Sequence, residues 1–192
     1  SATAIARSVD ASIADTDEPS TRLRKDLNWW DLTVFGVSVV IGAGIVGLLT
    51  AHLAQRIAGC HVTITDIDPA RAGIASRLGI QFVSAADVPR DNRLVFHTSP
   101  TAACLQTAID AAAFEGRIID MSWYGTAPVS VNLGGAFHSK RLQIHSSQVG
   151  HVSPSRRGTV NHRQRLTAAI GLLDDPVLDT LVADEIAFND LP

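Results

Sequence analysis

The junction at residues 37–47 constrains the fold more than any other part of this chain. It reads Val37-Ser38-Val39-Val40-Ile41, then Gly42-Ala43-Gly44-Ile45-Val46-Gly47. Four of the first five residues are β-branched aliphatics, which suit a buried strand covered on both faces. The glycines follow at GxGxxG spacing, and 46–58 reads as a helix with a small apolar face, ended near Gly59. A strand passing through a tight glycine turn into a helix is the opening of a βαβ unit.

The rest of the chain continues the alternation. Residues 61–66 (HVTITD) predict a second strand, and 69–78 a second helix with Pro69 near its first turn and Gly79 past its end. Further strands are expected over 80–83, 93–97, 116–122 and 142–148, with helices over 100–113 and 161–173. Strands separated by helices predict a parallel sheet covered on both faces. Right-handed crossovers then give a doubly wound α/β sheet of the Rossmann type, in the order 3-2-1-4-5-6. The domain is assigned to 32–192, with its dinucleotide-binding unit at about 37–148. Before it lies a polar tail over 1–31, with a short helix drawn at 2–13.

Composition narrows the function classes. Hydrophobic residues make up 46% and charged residues 18%, which suits a packed α/β core. A net charge of −3 gives no reason to expect a nucleic-acid partner. Cys60 and Cys104 stand far apart in no CxxC pattern. That argues against a disulfide framework or structural zinc and fits a reducing, cytoplasmic setting. Leu32 to Ala51 carry no charge and reach the length of a membrane-spanning helix, about 20 residues. Such a helix would consume the first strand and empty the centre of the sheet, so membrane contact is not expected.

The glycine turn carries the chemistry. Gly42 permits the turn, Gly44 leaves room for a pyrophosphate beside the backbone, and Gly47 lets helix and sheet approach. The backbone of Gly42, Ala43, Gly44, Ile45, Val46 and Gly47 then offers N–H groups at a helix N-terminus. Asp66 ends the second strand, where a carboxylate can accept from both ribose hydroxyls and repel a 2′-phosphate. That favours NAD over NADP as the cofactor. Asp68 is a nearby alternative, and a turn-forming aspartate before Pro69 is the structural one. Arg71 either flanks the adenine or is a solvated helix charge. Thr98, Ser99, Ser122 and Ser147 lie at the carboxyl ends of the fourth, fifth and sixth strands. They either line the nicotinamide side or simply cap strands.

The strings VIGAGIVGLLTAHLAQ, VTITDIDPARAGIASRLG, LVFHTSPTAACLQTAIDAAAFEGRIIDMSWYG and LGGAFHSKRLQIHSSQVG together resemble the cofactor-binding half of the medium-chain, zinc-binding alcohol dehydrogenase type of dehydrogenases. The resemblance spans about 40–192. It implies that Gly42, Gly44 and Gly47 hold the pyrophosphate, Asp66 the ribose, and that Arg71 lies near the adenine. It also implies hydride transfer between a nicotinamide cofactor and an alcohol or carbonyl, and pairing of two copies through the sixth strand. That family carries its zinc on a separate N-terminal domain with Cys and His ligands. No Cys or His precedes His52 here, so this chain is expected to supply no zinc ligands and to lack activity alone.

Residues 1–45 resemble something else. TDEPSTRLRKDLNWWDLTVFGVSVVIGAGI is similar to the cytosolic N-terminus and first membrane helix of amino-acid permeases. The two resemblances meet at VIGAGI, as in a fusion joined at a shared string. Three readings follow: an oxidoreductase cofactor domain, a non-catalytic NAD-binding module, and a membrane-anchored permease-like remnant. From Met121 to Leu173 there is no acidic residue while six Lys and Arg occur. A solvated face is favoured there over a docking surface for anions, and His138, His145, His151 and His162 lack ligand spacing.

Overall fold

The computed structural model describes residues 37–182. The expected tail over 1–31 and most of the permease-like segment lie outside them. The described chain forms six parallel strands in the order β3-β2-β1-β4-β5-β6, as the alternation predicts. They are β1 (Val37–Ile41), β2 (His61–Thr65), β3 (Gln81–Val83), β4 (Asn92–His97), β5 (Ala112–Asp120) and β6 (Gln143–Ser146). The helices are α1 (Ile45–Ala54), α2 (Arg71–Arg77), α3 (Ala102–Ala111) and α4 (His162–Leu172). From Val37 onward, the uncharged stretch that ends at Ala51 is split between strand, turn and helix. No helix among the described residues is long and apolar enough to cross a membrane.

Strand alternation builds two cores. Val39 and Ile41 of β1 point to one face, with Val95, Ile118 and the α3 residues Leu105, Ala108 and Ile109. Val40 points to the other, with Ile64, the α1 residues Leu48, Ala51 and Ala54, and Ala75 and Leu78 of the α2 segment. Period-2 alternation in the strands and i, i+3, i+4 spacing in the helices send these residues inward. β1 pairs on both edges, Ile41 lying beside Thr65 of β2 and His97 of β4.

Boundaries differ from expectation where backbone bonds tighten. The helix drawn to residue 58 ends at Ala54, because Arg56 N–H and Ile57 N–H donate to Leu53 and Ala54 three residues back. That 3₁₀-like turn closes at Gly59, whose φ is +79°. β5 begins four residues earlier than the expected Gly116, with a register shift opposite Asn92 and Leu94. There the Asn92 side chain donates to the Ala111 carbonyl at 3.0 Å, and Lys140 Nζ donates to Ala112 O at 2.7 Å. The expected helix over 161–173 is present as α4, opened by an Asn161–Gln164 capping box, yet it buries no residue.

A 3₁₀ turn at Pro176–Leu181, which no sequence pattern predicts, packs Val177, Leu178 and Leu181 against the α1–α2 core. Asp175 anchors it, accepting from the Val177 backbone N–H at 3.1 Å and pairing with Arg56 and with His52 Nε2 on the α1 side. The Val177 N–H first, then Arg56 and His52, hold the Asp175 carboxyl below its ordinary value. A depressed native value means stabilisation that is complete above the unfolded value, about 4, and is lost as pH falls through the native one. Asp175→Asn is expected to lower stability at neutral pH. Its gap from wild type closes on acidification, as thermal melts across the acid range would read.

Candidate nucleotide-binding site

The β1–α1 turn is built by near-contact. Gly42 has φ of +106°, a conformation that side chains resist. Its N–H donates to Thr65 O of β2 at 2.9 Å. Its carbonyl accepts from Thr98 Oγ1 at 2.8 Å, and the same hydroxyl reaches Ile41 O at 3.1 Å. Thr98 N–H also donates to Ile41 O, at 2.9 Å. A Cβ on Gly47 would lie 1.8 Å from Gly42 O, so α1 seats on the turn only through glycine. At Gly44 an added Cβ would meet nothing within 4 Å. Gly44 is the helix N-cap, in extended conformation, and no side chain caps the helix. The result is a supported floor with open space above it and uncapped amides facing that space.

Ala43 is buried, while Ile45 and Val46 are exposed on the outer side of the turn. Asp66 lies one residue past β2 and folds back over the turn. Its Oδ2 accepts from Ala43 N–H at 2.5 Å and its Oδ1 from Asp68 N–H at 2.9 Å. The carboxylate is thus fixed beside the glycines, and each oxygen retains capacity for a further donor. Arg71 opens α2 and pairs across the surface with Asp68, Nε to Oδ2 at 3.6 Å.

The carboxyl ends of β4 and β5 hold a network around Asp120, a residue that the sequence did not single out. His97 is fully buried at the end of β4 and registers with Asp120 at the end of β5. The two meet at 3.0 Å, Nδ1 to Oδ1. An ionised carboxylate cannot donate, so the shared proton belongs on Nδ1. Asp120 Oδ1 also accepts from Ser122 N–H at 3.1 Å, and Oδ2 accepts from the Tyr124 hydroxyl at 3.3 Å. Ser122 Oγ donates to His97 O at 3.4 Å. Burial foremost, then the Asp120 charge, raise the Tyr124 phenol above its ordinary value and keep it a neutral donor. His97 Nε2 is buried with no partner.

The expected site residues fall into two groups. The glycines, Ala43, Asp66 and Thr98 converge on the β1–α1 turn, and Ser99 lies beside Gly42. Ser122 belongs to the Asp120 network, and Ser147 N–H donates to Asp120 O at 2.7 Å. Asp120 was the missing residue, and its one trace in sequence is an acid ending the apolar run Ile118-Ile119. Among the described residues no group of three His, Cys, Asp or Glu could hold a metal ion.

No protein-family model matches the chain. The chain is 44% identical over 45 residues to an L-threonine 3-dehydrogenase of Mesorhizobium japonicum, covering 23% of this chain and 13% of that protein. It is 33% identical over 89 residues to one of Sinorhizobium medicae, covering 44% and 25%. It thus spans a quarter or less of the length of these relatives. Among solved structures, benzyl alcohol dehydrogenase from Acinetobacter calcoaceticus superposes with a TM-score of 0.60 at 18% identity, over 78% of this chain and 43% of that one. Acetophenone reductase from Geotrichum candidum, solved in complex with NAD, gives 0.52 at 17% identity, over 65% and 35%. The likeness is to medium-chain alcohol dehydrogenases. The dehydrogenase-like α/β fold thereby agrees with the sequence resemblance, and the membrane-remnant reading is not favoured.

The glycine geometry separates two substitutions. Gly47→Ala forces a Cβ onto Gly42 O and is expected to cost about 3 kcal/mol or more of stability. Gly44→Ala meets no atom and is expected to cost about 1 kcal/mol or less, the loss of a favoured N-cap residue. Denaturant unfolding of the two variants checks the contrast.

Proposed function

We propose that this chain supplies the dinucleotide-binding unit of an NAD-dependent oxidoreductase acting on an alcohol or carbonyl. The observation that carries the reading is the β1–α1 turn. Its Gly42 and Gly47 are fixed by contact while the backbone at Gly44 stands open. The uncapped amides at Gly44, Ile45 and Val46 take the diphosphate, helped by the positive end of α1. Asp66, already held by Ala43 and Asp68, turns its remaining lone pairs to the ribose hydroxyls of the adenosine half. A 2′-phosphate would bring like charge against that carboxylate, which selects NAD over NADP. Arg71 borders the adenine. Thr98, Ser99, Ser122 and Ser147 border the path toward the nicotinamide.

The bound cofactor supplies hydride transfer; the residues described here bind and orient it. The likeness to alcohol and threonine dehydrogenases supports that reaction class. The edge position of β6 is where a second copy would pair. A soluble protein in the cytoplasm fits this role.

Calorimetric titration with NADH and NADPH tests the reading. NADH is expected to bind at least about tenfold tighter, a difference of about 1.4 kcal/mol, and Asp66→Asn to narrow the gap. Tighter binding of NADPH by the wild-type chain would overturn the role of Asp66. No binding of either would overturn the cofactor assignment.

A further inference from the structure

Trp123 follows β5 by three residues and is 86% exposed. The residues on each side of it are held. Ser122 is fixed through its N–H to Asp120 and its hydroxyl to His97 O. Tyr124 is fixed through its hydroxyl to Asp120, and its ring stacks on His97 with centroids 6.2 Å apart. Met121 is fixed by its N–H to His97 O at 2.9 Å, and its sulfur accepts from Thr50 Oγ1 of α1 at 3.8 Å. A large apolar ring is therefore presented to solvent from a backbone that cannot readily turn it inward.

The location gives this a direction. Asp66 follows β2, the glycine turn follows β1, and β4 and β5 lie on the other side. β5 lies two inter-strand steps from β1, on the order of 10 Å. A dinucleotide with its adenosine ribose on Asp66 and its diphosphate on the turn must extend its second half toward β4 and β5. That half ends in a planar ring, and an exposed indole carried between held neighbours offers a face for it.

We propose that Trp123 is the stacking platform for the nicotinamide-end ring, and that Asp120, through Ser122 and Tyr124, is its positioning residue. The inference rests on the dinucleotide reading above. ADP-ribose carries the adenosine and diphosphate but lacks the ring, so it separates the two claims. The experiment uses the full chain in a Trp29→Phe, Trp30→Phe background, leaving Trp123 as its sole indole. NADH and ADP-ribose are titrated calorimetrically, and tryptophan-sensitised NADH emission is recorded.

The parent is expected to bind both ligands and to sensitise NADH emission. Trp123→Ala is expected to weaken NADH about tenfold and leave ADP-ribose unchanged. Asp120→Asn, in the parent, is expected to lower the sensitised emission and weaken NADH while ADP-ribose still binds. If Asp120→Asn fails to fold, Trp123→Ala decides alone, since its side chain packs on little. Unchanged NADH affinity in Trp123→Ala, with the parent binding both ligands, would overturn this inference and leave the cofactor reading intact. A Trp123→Ala variant that loses only self-association would overturn it in the same way. A parent that binds neither ligand would overturn both.

Discussion

Helix α1 lies so close to the end of β1 that residue 47 can carry no side chain. This steric limit governs the rest of the molecule. It draws the first turn of α1 over the central strand, leaves the helix N-terminus uncapped, and aims its amides at the open edge of the sheet. Thr98 completes the arrangement from the neighbouring strand by holding the Gly42 carbonyl. The cradle is therefore a joint product of β1, β4 and α1. Asp66 adds β2 by its bond to Ala43 N–H. Three adjacent strand ends and one helix are locked by backbone atoms together with the Thr98 hydroxyl and the Asp66 carboxylate.

The second organising centre is polar. Asp120 sits beside an apolar sheet interior, with donors from His97, Ser122 and Tyr124 around it. A partly buried carboxylate is held by such donors, because desolvation without them disfavours its charge. The network ties β4 to the β5 loop at the same edge of the sheet as the glycine turn. Through Ser147 N–H on Asp120 O it also reaches the end of β6. The two centres share a strand, since Thr98 supports the turn and His97, its neighbour, meets Asp120.

The architecture was largely legible in sequence because it depends on periodicity. Val39 and Ile41 against Val40, or Leu48, Ala51 and Ala54 at helical spacing, announce their faces without reference to the rest of the chain. Asp66 was legible because its place after a β-branched strand follows from chain distance to Gly47. The Asp120 network was not, because it exists only through the β4–β5 register that sets His97 beside Asp120. The Pro176–Leu181 turn was hidden for a similar reason. Its anchor joins Asp175 to Arg56, 119 residues apart, and its short apolar run has no period. α4 shows the converse: a well-capped helix read correctly in sequence that covers none of the core.

The order of the strands sets the order in which the molecule can be completed. β1 occupies the middle of the sheet, yet among the six strands it leaves the ribosome first. Its partner on one side arrives soon, as β2, but the other edge stays unsatisfied until β4 has emerged and the β2–β3 segment has been laid aside. During that interval a short, uncharged strand rich in valine offers bare N–H and C=O groups to any passing chain. Nascent copies are thus most exposed to mispairing before residue 97 is made, and the protein's yield in a cell depends on how well that interval is guarded.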